Sequence, residues 1–231
     1  MNSFQLKVMA MLLMVLDHLY TYFPGMPEWF SLVGRIVAPI FFYLMVEGFF
    51  HTRSRKKYTI RLYGWSIFMS IGNGMLNRFF PTDVGVHNNI FLSLALAVSM
   101  LWAIDSLKRG RGNSWLLIPV AIAMFIVSFF TEASLYGVMM ALIFYFFRGR
   151  YFLMCILYGT VFLGMTIGSA PEYTMDAMFL FDYQWAMLFA LPFILVYNGK
   201  RGWKTPFSKY LFYVFYPLHL WVIYIIGYFI Y

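Results

Sequence analysis

The sequence predicts an all-α membrane protein, a polytopic helical bundle of about nine transmembrane helices forming a single integral-membrane domain over residues 1–231. Three observations predict it. The chain is 62% hydrophobic and only 11% charged, against about 25% charged residues in an average soluble domain. Its apolar residues fall in runs near the ~20 residues needed to cross a bilayer. Basic residues gather in alternate short loops between those runs. A formal net charge of +8 would suggest nucleic acid in a soluble chain. Distributed in this way it reports topology instead, and no nucleic-acid partner is expected.

The runs are 6–23, 29–50, 58–77, 88–107, 114–131, 133–147, 151–168, 177–196 and 209–230. The first could pass for a secretory leader. It has one early lysine, Lys7, lacks a small-residue cleavage site, and carries Asp17 and His18 where a leader is clean, so it is expected to be the first membrane helix. The sixth, near 15 residues, is short for a span and can be tilted poorly or partly re-entrant, so the runs allow eight to ten segments.

The loops set the orientation. Pro24-Gly25-Met26-Pro27-Glu28 has no basic residue, and the next loop carries Arg53, Arg55, Lys56 and Lys57. Pro81-Thr82-Asp83 has only Arg78 nearby, whereas the following loop has Lys108, Arg109 and Arg111. Thr131-Glu132 has none, the next turn has Arg148 and Arg150, residues 169–176 carry only acids, and the last loop holds Lys200, Arg201, Lys204 and Lys209. This alternation predicts a cytoplasmic N-terminus and an external C-terminus. Trp29, Trp65, Trp102, Trp115 and Trp203 fall near the predicted interfaces, where amphipathic rings sit at headgroup depth. Gly164 and Gly168 form a small-xxx-small pair, for packing within the bundle or for a dimer face. Cys155 is the only cysteine, so no intrachain disulfide is possible. There is no phosphate-binding glycine motif and no Cys/His spacing for a metal, so no metal is expected.

Ionisable residues in hydrocarbon mark substrate paths, proton relays or catalytic centres by default. Asp17 and His18 lie in the first run and Arg35 in the second. At about 1.5 Å per residue, His18 and Arg35 both sit roughly 7–9 Å below the outer surface. The hairpin makes the two runs antiparallel neighbours, so Asp17 or His18 can approach Arg35. Asp17 and His18 themselves diverge by about 100° around the helix. Ser66, Ser70, Asn73 and Asn77 make one stripe of the third run, which meets His87, Asn88 and Asn89 at the start of the fourth. His219 lies inside the last run, in Tyr216-Pro217-Leu218-His219, and Glu47 and His51 are spaced i, i+4 beside the basic loop. Each has a plainer reading too. Asp17 and Arg35 can be a packing pair, His219 can bond a carbonyl freed by Pro217, the Ser/Asn stripe can be interhelical glue, and topology alone explains the basic loop.

The run Leu6-Lys7 through Leu16-Asp17-His18, followed by Gly34-Arg35, Pro39 and Phe41, resembles the TraX family, named for the F-pilin N-acetylase. So do Val46-Glu47-Gly48-Phe49-Phe50-His51-Thr52-Arg53 with Lys57-Tyr58 and Arg61-Leu62, and Asn89-Ile90-Phe91-Leu92-Ser93-Leu94, where serine replaces threonine. Tyr136-Gly137-Val138, Phe144-Tyr145-Phe146-Phe147-Arg148 and Tyr216-Pro217-x-His219-Leu220 complete an ordered set over nearly the whole chain. The resemblance implies a multi-pass acyltransferase of the bacterial cytoplasmic membrane, surrounded by lipid. It would use cytoplasmic acetyl-CoA or another acyl-CoA to modify an acceptor on the far side. It also implies functional roles for Asp17, His18 and Arg35, together with Glu47 and Asn89. The acceptor (a protein N-terminus, peptide, glycan or lipid) does not carry over with the family.

The residues themselves suit acyl transfer, which needs a base for the acceptor's proton and a donor for the tetrahedral oxyanion. Histidine has an ordinary pKa near neutrality, so His18 is expected to act as base or acyl relay. Asp17 would orient it or hold Arg35, and Arg35 would stabilise the oxyanion or keep Asp17 ionised. Arg53, Arg55, Lys56 and Lys57 would take the CoA phosphates. Asn73, Asn77, Asn89, His219 and Glu47 would line the substrate path. The rival reading is a small proton-coupled transporter or flippase using Asp17, His18, Arg35 and His219 as a relay. Against it stands the lack of an inverted repeat or of paired broken helices.

Overall fold

The computed structural model describes residues 1–168, 183–203 and 205–230, and among them every regular element is helical. Helix α1, Ser3–Tyr22, begins with a reciprocal cap: the Asn2 side chain accepts from Gln5 N–H and the Gln5 side chain accepts from Asn2 N–H, each at 2.9 Å. The second run is not one helix but two, α2 (Trp29–Gly34) and α3 (Val37–His51). Pro39 explains the break. It has no N–H for the Arg35 carbonyl four residues back, and its ring crowds that carbonyl, so the helix restarts just after Arg35.

Helix α4 spans Arg55–Phe79, extending the expected 58–77 because basic-loop residues join its first turn. The Asn89 side chain caps α5, Ile90–Lys108, and Asn113 caps α6, Ser114–Ser128. Then come α7 (Ser134–Phe146), α8 (Tyr151–Gly168), a 3₁₀ turn (Gln184–Phe189), α9 (Ala190–Leu195) and α10 (Pro206–Ile230). Five stretches are long and apolar enough to cross a membrane: Ser3–Tyr22, Trp29–His51, Ile90–Lys108, Tyr151–Gly168 and Tyr210–Ile230. Helix α4 has the length but is too polar along its Ser/Asn stripe and basic first turn. The runs expected at 114–131 and 133–147 give helices of only 15 and 13 residues. The run expected at 177–196 contains 184–195, but its first residues, the acidic loop 169–176 and Lys204 lie outside the described residues.

The chain divides into two compact units, Met1–Phe41 with Met75–Val86 and Arg150–Tyr231, and Phe42–Gly74 with His87–Gly149. In the first, α1 packs against α2 and α10, and α8 against the 3₁₀ turn. Leu6, Ala10, Met14 and His18 recur every four residues as the buried face of α1. Lipid tails are as apolar as leucine, so helices associate through close packing rather than hydrophobic expulsion. Glycines supply the closeness. A Cβ on Gly227 would stand 3.0 Å from the Tyr22 carbonyl oxygen, and one on Gly34 would overlap the Asp17 carboxyl. Gly164 and Gly168, the pair the sequence singles out, face open space among the described residues.

In the second unit α5 is buried over most of its surface between Ile90 and Asp105, with α6 and α7 against it and Leu92, Ser99, Trp102 and Ile104 half-buried. Its charged end is a knot. The Asp105 carboxylate, only 5% exposed, accepts from Arg55 at 2.5 Å and Arg109 at 2.8 Å, and Tyr145 Oη donates to it at 2.9 Å. The Arg55 guanidinium also lies over the Phe49 ring, 4.2 Å from its centre. Removing one partner of a fully buried ion pair costs about 3–5 kcal/mol. Arg55 is 22% and Arg109 47% exposed, so Asp105→Ala is expected to cost nearer ~2 kcal/mol. Its unfolding midpoint in detergent should fall clearly, and that of Asp105→Asn, which keeps an acceptor, should fall less. An unchanged midpoint in Asp105→Ala rejects the knot as a stabilising element.

Candidate functional site

Helix α1 turns its two adjacent ionisable side chains to different neighbours. The Asp17 carboxyl lies on the backbone of Gly34 in α2, at a position only glycine leaves open. Arg35 follows immediately, at the break before α3, and its charge acts on the Asp17 carboxyl. The two do not form a direct ion pair. Arg35 Nη2 donates to Ser31 Oγ at 3.2 Å, and its buried Nε–H has no partner.

His18 faces α10. It is 3% exposed, and its Nδ1 lies 2.8 Å from His219 Nε2. The rings are within 13° of parallel with centroids 4.9 Å apart. Two atoms of face-to-face rings cannot approach to 2.8 Å, so the imidazoles lie end to end in a shared hydrogen bond. The other nitrogen of His219, Nδ1, donates to the Phe215 carbonyl at 2.7 Å. Proline at 217 strips the helical partner from the Tyr213 carbonyl, so His219 uses a different acceptor from the one proline frees. The buried Tyr216 ring sits edge-on to both imidazoles, at 6.2 and 5.9 Å. No group of three or more His, Cys, Asp or Glu side chains among the described residues could hold a metal.

Of the residues picked out from the sequence, the first unit thus holds two pairs, Asp17 with Arg35 beside Gly34, and His18 with His219. Asn77, also there, exchanges two bonds with Val86, accepting from its N–H at 2.7 Å and donating to its carbonyl at 3.0 Å. The second unit holds the others. Asn73 donates to the Asn88 carbonyl at 2.8 Å, and Asn89 donates to the Ser66 carbonyl and Ser70 Oγ, each at 3.0 Å. Glu47 takes a two-pronged pair from Arg148 at 2.6 and 3.1 Å. Arg55 is held by Asp105, whereas Arg53, Lys56 and Lys57 are exposed and their side chains have no partner among the described residues.

Sequence reasoning missed the contacts of Gly34 with Asp17 and of Ser31 with Arg35, and it grouped His18 with His219 only in the relay reading, without the direct bond between residues 201 positions apart. Pro39 was the available signal for the break that seats Arg35. Nothing local signals the histidine contact, which depends on α1 meeting α10.

These features define a helical membrane protein in which the buried His18 pairs with a half-buried His219, while the adjacent Asp17, also half-buried, lies beside Gly34 and Arg35. The chain matches the TraX protein family over residues 3–227 and belongs to it. It is similar to the probable fimbrial assembly protein FimC, serogroup H1, of Dichelobacter nodosus, with 28% identity over 236 residues covering 95% of this chain and 93% of that protein. No solved structure matches the chain.

Two glycine substitutions should have opposite effects. Gly34→Val must displace Asp17, and overpacking of this kind costs about 1–3 kcal/mol. Gly164→Ala meets open space in a helix and should stabilise by up to ~1 kcal/mol. Unfolding midpoints in one detergent test this, and equal shifts in the two variants would refute the Asp17–Gly34 contact.

Proposed function

We propose that the protein is an integral-membrane acyltransferase that moves an acyl group, in the first place acetyl, from cytoplasmic acyl-CoA to an acceptor at the outer side of the membrane. The observation that carries the reading is His18, a buried imidazole tied through Nδ1 whose Nε2 has no hydrogen-bond partner among the described residues. It lies in a chain of a family named for a pilin acetylase. The fimbrial name of the relative favours an exported protein as acceptor over a glycan or lipid.

In the reaction, His18 Nε2 takes the proton of an acceptor N–H or O–H as the acceptor's lone pair attacks the thioester carbonyl. The tetrahedral intermediate collapses with cleavage of the C–S bond, and the proton passes from His18 to the departing CoA thiolate. If His18 is itself acylated first, the same nitrogen attacks the carbonyl. A buried donor without a partner needs a reason. Arg35 Nε is such a donor, and we assign it to the oxyanion, with Asp17 balancing its charge. Arg53, Lys56 and Lys57 are uncommitted cations suited to the CoA phosphates, while Arg55 adds charge from its place beside Asp105. Asn73, Asn77, Asn89 and Glu47 already have partners, and we assign them to shaping the substrate path. The topology that goes with this reading has nine spans in a bacterial inner membrane, with the N-terminus in the cytoplasm and the C-terminus outside.

Acetyl-CoA turnover by the purified protein in nanodiscs, read as free CoA, tests the proposal. Wild type should release CoA slowly without an acceptor, and His18→Ala should release none beyond background while keeping its unfolding midpoint. Full turnover in His18→Ala sinks the assignment. Replacing Arg53, Lys56 and Lys57 together by alanine should raise KM for acetyl-CoA roughly tenfold or more and leave kcat within about twofold, the pattern of lost ground-state binding. An unchanged KM removes the loop from the site.

A further inference from the structure

We infer that His219 is the positioning residue of His18: it fixes the tautomer that leaves His18 Nε2 unprotonated, an inference that rests on the acyltransferase reading for its purpose but not for its geometry. The argument follows the protons. A carbonyl oxygen only accepts, so the 2.7 Å contact with Phe215 requires the proton on His219 Nδ1. In a neutral imidazole the second nitrogen then carries a lone pair, so His219 Nε2 accepts. The proton between the rings, across 2.8 Å, therefore belongs to His18 Nδ1. The bare nitrogen of His18 is Nε2, which faces no bonding partner among the described residues.

Sequence reasoning offered Asp17 for the orienting task. The structure directs Asp17 to Gly34 instead and gives the task to a second imidazole. A neutral partner suits the position. In a serine-hydrolase triad the orienting group is a carboxylate, which in hydrocarbon would be a costly buried anion. A histidine anchored on a backbone carbonyl accepts the same Nδ1–H without carrying charge. When His18 takes a proton, the positive imidazolium is held by His219 Nε2, and Phe215 holds His219 in turn. The near-coplanar arrangement restricts rotation of the His18 ring.

Nitrogen-15 solid-state NMR of histidine-labelled protein in lipid tests the tautomer directly, with His18 signals assigned by their loss in His18→Ala. Nδ1 of His18 should be protonated and Nε2 bare, and in His219→Leu part of the His18 population should shift to Nε2–H. A protonated Nε2 in the wild type overturns the inference whatever the enzyme does. Kinetics give the second readout. The side-chain oxygen of glutamine can reach the place of His219 Nε2, whereas asparagine is too short. His219→Leu and His219→Asn should therefore lose about 10²–10³ in kcat with KM within about twofold, and His219→Gln should recover much of that loss. Equal losses in Gln, Asn and Leu would mean packing only and reject the positioning role. If even wild type releases no CoA, the acyltransferase reading fails, and the NMR result still decides the tautomer.

Discussion

Hydrocarbon solvates neither a charge nor an unpaired polar group, and the arrangement of this protein follows from how its polar side chains answer that constraint. In the long helices a titratable group is stable only against a partner or a close-packed backbone. Asp17 rests on Gly34, His18 on His219, and His219 on the Phe215 carbonyl. In the second unit Asp105 gathers Arg55, Arg109 and Tyr145, and Glu47 takes Arg148. Most of these contacts are complete within the chain and read as architecture. The Nε of Arg35 and the Nε2 of His18 are left over, and chemistry is assigned to them for that reason.

Close approach makes these contacts possible, and it depends on small residues and on one proline. Gly34 and Gly227 let α2 and α10 reach the C-terminal end of α1. Pro39 interrupts the second span just where Arg35 stands. A continuous helix there would have left no break in the backbone beside Asp17. Broken helices are tolerated at membrane depth only where protein or a water-lined cavity surrounds the freed groups. In this chain Arg35 thus stands at a structural irregularity, whereas Asp17, His18 and His219 lie on continuous helices.

Much of this was legible in the sequence, for identifiable reasons. Run lengths and charge content required membrane helices, and Asp17, His18 and Arg35 stood out because their side chains are costly there. The Ser/Asn stripe of α4 does meet Asn88 and Asn89. The helix boundary at Arg35 is written in Pro39, although run length alone joins 29–50 into a single span. The number of spans was harder to read, since α6 and α7 are apolar but short, and α4 is long but polar. Two things were not legible. Gly34 stands in the family pattern without any sign that Asp17 lies on it, and the relay reading groups His18 with His219 without any sign of the bond that joins two helices far apart in the chain. Periodicity places a residue on a face, but only tertiary packing says what that face meets.

The account separates holding the acyl donor from acting on it, and one binding measurement tests that separation. A non-hydrolysable thioether analogue of acetyl-CoA would be titrated into nanodisc-embedded wild type and His18→Ala, in parallel with CoA release from acetyl-CoA. The account predicts dissociation constants within about twofold of each other, with turnover confined to the wild type. Absence of binding to the wild type, or turnover that survives in His18→Ala, would contradict it.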